Sequence, residues 1–121
     1  MRKITTFEDV FNRLIKSFQG KMIEIKTKQS GINISHFSTH IDNIVIKPTA
    51  KKTDNKSTNK KTGVISLQKK KGNHYTTVLN IPFILGFNTM QAYFTDNGAL
   101  IKTLDLEFKI KKLSKKQRHP A

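Results

Sequence analysis

The chain has no cysteine and no tryptophan, and only eight of its 121 residues are acidic. Without cysteine there is neither a disulfide framework nor a thiolate metal site, which accords with a reducing interior. No apolar run approaches the roughly 20 residues that cross a bilayer. The opening "MRKITTFEDV" also meets acids too soon for the apolar core of a signal peptide. These absences predict a cytoplasmic protein of one domain, since a chain of 121 residues buries one modest core without staples.

What is present is positive charge. Twenty-three lysines and arginines against eight acids give +15, with a sequence pI of about 10.2. Such an excess opposes compactness by self-repulsion and draws a chain to nucleic acid or anionic lipid. An AT-rich genome, indicated here by abundant isoleucine, lysine and asparagine, raises lysine by codon bias. It does not deplete aspartate and glutamate, so the shortage of acids points to a polyanion. The charge is also clustered. Nine lysines fall between 47 and 71 against the single acid Asp54, and six basic residues lie between Lys109 and Arg118 with no acid. These blocks flank a nearly neutral apolar middle from Asn73 to Leu106.

The periodicity predicts one helix followed by strands. In "TTFEDVFNRLIKSFQG", Phe7, Val10, Phe11, Leu14, Ile15 and Phe18 form one apolar stripe. Thr5 and Glu8 make a capping box, and Gly20 suits the left-handed residue that ends a helix. The polar face is mixed in charge, so the stripe reads as packed on a core rather than laid on a membrane. From Lys21 onward "MIEIKTK", "GINISHF", "NIVIK", "GVISLQK", "YTTVLNI" and "QAYFT" read as strands, with turns at Ser30-Gly31, Gly72-Asn73 and Asp96-Asn97-Gly98. "ALIKTLDLEFKIKKL" reads as one last strand, with Leu104, Leu106, Phe108 and Ile110 on one face and Asp105, Glu107, Lys109 and Lys111 on the other. The fold class is therefore α+β, mainly β. It is a small curved antiparallel sheet or pseudo-barrel, closed to leave few edges, with an N-terminal amphipathic helix. Residues 1–113 form the domain, 47–63 a flexible basic loop within it, and 114–121 a basic tail.

Three groups of basic residues are candidates for a ligand face. The loop offers Lys51, Lys52, Lys56, Lys60 and Lys61, as an arm that neutralises phosphates or as a solvated linker. The hairpin tip "KKKGNHY" sets Lys69, Lys70 and Lys71 beside His74 and Tyr75, the cation-and-ring composition of a single-strand stacking platform. The last strand adds Lys109, Lys111 and Lys112. Only Arg2, Arg13 and Arg118 are arginines. Since lysine is a point charge and arginine the bidentate reader, binding dominated by the phosphate backbone is expected.

Catalytic chemistry has little support. His36 and His40 lie in a β-like segment, which puts them on one face but about 13 Å apart. With no cysteine, and Asp42 as the nearby carboxylate, a metal site is not expected. Ser35 and His36 point to opposite faces, and no P-loop or glycine-rich cradle occurs. No enzyme and no cofactor is predicted.

The opening "FEDVFNRLIKSFQGK" followed by a lysine-rich β body of this length resembles the PrgU-like proteins, small regulators carried by conjugative plasmids and chromosomes of Gram-positive cocci. The resemblance lies in layout across nearly the whole chain, with no motif to carry site residues over. It implies a PUA-like RNA-binding fold and a cytoplasmic role restraining production of conjugation surface adhesins. The expected function is thus a non-enzymatic, RNA-binding small regulator, the RNA being single-stranded or structured. The alternatives are a protein-interaction module or inhibitor that docks an acidic partner protein, and attachment to anionic lipid. Tyr75 and His74 discriminate, because base stacking needs them and docking by lysines alone does not.

Overall fold

The structure, a computed structural model, describes residues 3–48, 62–84 and 90–113. The chain runs β1 (Lys3–Ile4), α1 (Phe7–Phe18), β2 (Met22–Gln29), β3 (Ile32–His40) and β4 (Asn43–Pro48). It continues through β5 (Thr62–Lys71), β6 (His74–Ile84), β7 (Met90–Phe94), β8 (Gly98–Thr103) and β9 (Leu106–Lys112). The mainly-β reading with one N-terminal helix holds.

Two antiparallel sheets result, one of six strands in the order β1-β7-β8-β9-β2-β3 and one of three in the order β4-β5-β6. The expectation of closure does not hold. Among the described residues the two ladders stay separate, and they meet through side chains and a common core instead. Thr103 Oγ1 of β8 donates to the Pro82 carbonyl of β6 at 2.8 Å, tying one sheet to the other.

Alternation explains how each sheet acquires a dry face. In β2, Ile23, Ile25 and Thr27 are buried while Lys26 and Lys28 are exposed and Glu24 is half-buried. Ile101 of β8 with Phe108 and Ile110 of β9 extends the same apolar layer, and Ile44, Ile65, Leu67, Ile81 and Phe83 supply the layer of the second sheet. The helix fills the space between, burying Val10, Leu14 and Phe18 in one cluster with both layers. Each fully buried side chain of this kind contributes roughly 1.5–3 kcal/mol. Phe7 stacks on Phe83 at 4.2 Å between ring centroids. Gly63, opposite Phe83, leaves room for that ring, since a Cβ there would meet Phe83 Cζ at 2.7 Å.

Two local readings are corrected. The helix is capped by Thr6, not Thr5: its hydroxyl accepts from the Asp9 backbone N–H at 3.4 Å, so Asp9 rather than Glu8 holds the third helical position. The last "strand" is a hairpin. Thr103 pairs with Leu106, and Leu104-Asp105 form a two-residue turn with Leu104 at φ 56° and exposed. Other turns fall where the sequence places them: Ser30-Gly31 has positive φ at both positions, the type I′ pattern. Gly72 and Gly20 are also left-handed. No helix among the described residues is long and apolar enough to cross a membrane.

Candidate nucleic-acid interface

One face of the six-stranded sheet packs on the core, and the other is open. Register builds that open face from three cross-strand rows. The middle row runs Lys3, Tyr93, Leu100, Lys109, Lys26, His36, one residue from each strand. The row on one side runs Gln91, Lys102, Glu107, Lys28, Asn33, and on the other Gly98, Lys111, Glu24, Ser38. Lys3, Lys26, Lys28, Lys102, Lys109 and Lys111 are all exposed, and Tyr93 and Leu100 are half-buried among them.

The β2–β9 ladder shows the electrostatic peculiarity of this face. Glu24 stands opposite Lys111 and Lys28 opposite Glu107, but Lys26 stands opposite Lys109. Opposed like charges destabilise an antiparallel pair, whereas opposite charges contribute roughly 0.2–1 kcal/mol. Two complementary pairs thus bracket one repulsive pair. Among the described residues, the side-chain ion pairs within 4.0 Å join carboxylates to histidines, not to lysine ammonium groups: His36 Nε2 to Glu24 at 2.6 Å and His40 Nδ1 to Asp42 at 2.8 Å. The hydrogen bond from His36 holds the Glu24 carboxyl below its ordinary range, helped by the charges of His36, Lys26 and Lys111 and opposed by partial burial.

The face is grooved rather than flat. One hollow is lined by Lys26, Lys28, Ile34, His36 and Lys109, and a second by Tyr93, Leu100, Lys102, Lys109 and Lys111; both also reach Glu107. Lys109 and Glu107 line both hollows. The first hollow is bordered by a bulge in β3, where Thr27 pairs with Ser35 and Lys28 with Asn33, leaving Ile34 without a partner in β2.

The hairpin tip is a second basic element, and its residues divide between two faces. Lys70 and Tyr75 are cross-strand partners, while Lys71 pairs with His74 and Lys69 with Thr76. Successive residues point to opposite faces, so Tyr75 shares a side with Lys70, and His74 lies with Lys69 and Lys71 on the other. The single platform expected at "KKKGNHY" is therefore two smaller ones. Asp42 fixes the root of the tip by accepting from the Lys70 backbone N–H at 2.6 Å while contacting His40 at the end of β3. That backbone hydrogen bond, first, and then the His40 and Lys69 charges hold the Asp42 carboxyl low, against partial burial.

Of the residues predicted from sequence, Lys109 and Lys111 reach the open face, whereas Lys112 falls on the opposite face, paired with Ile23. Lys69, Lys70, Lys71, His74 and Tyr75 sit exposed at the tip. Lys51, Lys52, Lys56, Lys60 and Lys61 lie outside the described residues, as does the 114–121 tail. Lys3, Lys26, Lys28, Lys102 and Tyr93 were not singled out by sequence reasoning. The signal for Lys26 and Lys28 was present, since they alternate with Ile23, Ile25 and Thr27. His36 and His40 share a face, as spacing predicts, and each engages its own carboxylate; among the described residues no group of three or more His, Cys, Asp or Glu side chains converges. Comparison with protein-family models, curated proteins and solved structures finds no match.

Proposed function

We propose that this protein binds RNA without catalysing a reaction, using the open lysine-bearing face of its six-stranded sheet, and acts as a small regulator. The observation that carries the proposal is the opposition of Lys26 and Lys109 in the middle of that face. A folded sheet gains nothing from this repulsion, and a phosphate between the two ammonium groups removes it. The net charge of +15 and the lysines at the hairpin tip favour the same ligand class. So does the sequence layout, which resembles that of PrgU-like regulators. Predominance of lysine over arginine favours backbone contacts with weak base selectivity.

A second reading, a protein-interaction module, draws on β3. This edge strand exposes Ile32 and Ile34 and carries no lysine, so it suits addition of a partner strand. Fluorescence anisotropy with a labelled single-stranded RNA decides between them. Measurable binding at about 50 mM salt that is largely lost at several-fold higher salt supports RNA as the ligand. No binding at low salt overturns it and leaves the protein partner.

A further inference from the structure

We infer that the open face is a single-strand site in which a base stacks on Tyr93 beside Leu100 while Lys109 and Lys26 hold the adjoining phosphate. This rests on the RNA reading above and gives it a binding mode. Four consecutive members of the middle row carry it. Tyr93 and Leu100 are cross-strand partners, Leu100 is the partner of Lys109, and Lys109 the partner of Lys26. Neighbouring strands lie roughly 4.8 Å apart, so an apolar patch two strands wide passes directly into a cationic patch two strands wide. A nucleotide has the same division, an apolar base face on one side and an anionic phosphate on the other. Lys3 beyond Tyr93, with Lys102 and Lys111 lining the hollow beside Tyr93 and Leu100, supplies cations for the neighbouring phosphates.

The patch differs from the hairpin tip in its support. Tyr93 is half-buried in a strand with hydrogen-bonded neighbours on both sides, β1 and β8, so its ring is placed before a ligand arrives. Tyr75 is half exposed on a two-stranded projection next to a turn. An aromatic ring on the wet face of a sheet can also serve as an ordinary cross-strand packing partner, here for Leu100. Stacking and packing differ in one observable: only stacking brings a base against the ring.

The chain contains two tyrosines and no tryptophan, so Tyr75→Phe leaves Tyr93 as its sole bright fluorophore. The probes are an oligouridylate and, as a base-free polyanion, inorganic polyphosphate. We expect oligouridylate to quench Tyr93 emission saturably and polyphosphate to bind without quenching. Tyr93→Ala should weaken oligouridylate binding by about 5- to 150-fold, the alanine-substitution range for one stacked base, and polyphosphate binding by little. Tyr93→Phe should retain the parent affinity, which separates loss of the ring from loss of fold. Oligouridylate binding to the Tyr75→Phe protein without quenching overturns the stacking mode and leaves the RNA reading standing. Quenching in the parent that disappears in Tyr75→Phe moves the stack to the hairpin tip, and overturns it likewise. Failure of both probes to bind overturns the RNA reading itself.

Discussion

Lys26 and Lys109 are direct partners across the β2–β9 ladder, flanked on either side by a lysine–glutamate pair. Replacing Lys109 by glutamate makes the ladder fully complementary. Lys109→Glu should therefore raise the unfolding free energy, by up to about 1 kcal/mol, and the melting temperature by a few degrees. It should also weaken RNA binding, so stability and affinity move in opposite directions. Lowering the net charge relieves self-repulsion as well, and Lys102→Glu controls for that. It changes the net charge equally but sets a second acid opposite Glu107. Calorimetry should show Lys109→Glu melting higher than Lys102→Glu. The reverse order would remove the cross-strand repulsion from the account.

Gly98 tests the frame of the same face. Opposite Lys111 at the start of β8, it brings its backbone so close to the Ile110 carbonyl that a Cβ would collide with that oxygen. Relief requires the backbone to move, since no flexible side-chain end is involved. Gly98→Ala should cost about 1–3 kcal/mol in a urea melt, the usual range for overpacking. A change under about 0.5 kcal/mol would show that β8 and β9 separate there at little cost.

Asp42 makes stability depend on pH. Its carboxyl is held below the ordinary value, chiefly by the Lys70 backbone N–H. A depressed folded-state pKa means the unfolded chain takes up the proton first. The contribution is present above the ordinary aspartate pKa and is lost as pH falls through the lowered folded value. Glu24 behaves in the same sense through His36. Urea midpoints should fall as pH drops below the ordinary carboxylate range, and Asp42→Asn should flatten that limb while lowering the midpoint at neutral pH. An unchanged acid limb in Asp42→Asn would mean the contact to the hairpin tip contributes nothing.

The helix was legible because six apolar side chains repeat at helical spacing, and its cap slipped by one because Thr5 and Thr6 are chemically alike. The β8–β9 hairpin was hidden by Leu104, an apolar residue in a left-handed turn position that prolongs an apparent alternation. The switch of parity was nonetheless written there: Ala99, Ile101 and Thr103 face inward before the turn, and Phe108 and Ile110 after it. The ligand face was harder to read, because charge runs along the chain are conspicuous whereas this face is assembled from alternate residues of separate strands. Lys26, Lys102 and Lys109 come together only through register, which no local window contains.

The most direct measurement is the salt dependence of single-stranded RNA binding by the parent protein and by a Lys26→Gln, Lys109→Gln variant. Each phosphate contact contributes about 0.7 to the slope of log affinity against log salt. If one or both ammonium groups neutralise phosphate, the parent gives a steep straight line. The variant gives a shallower one, by about 0.7 to 1.4, with weaker binding at every salt concentration. Equal slopes and equal affinities would contradict the assignment of the open face as the RNA-binding surface.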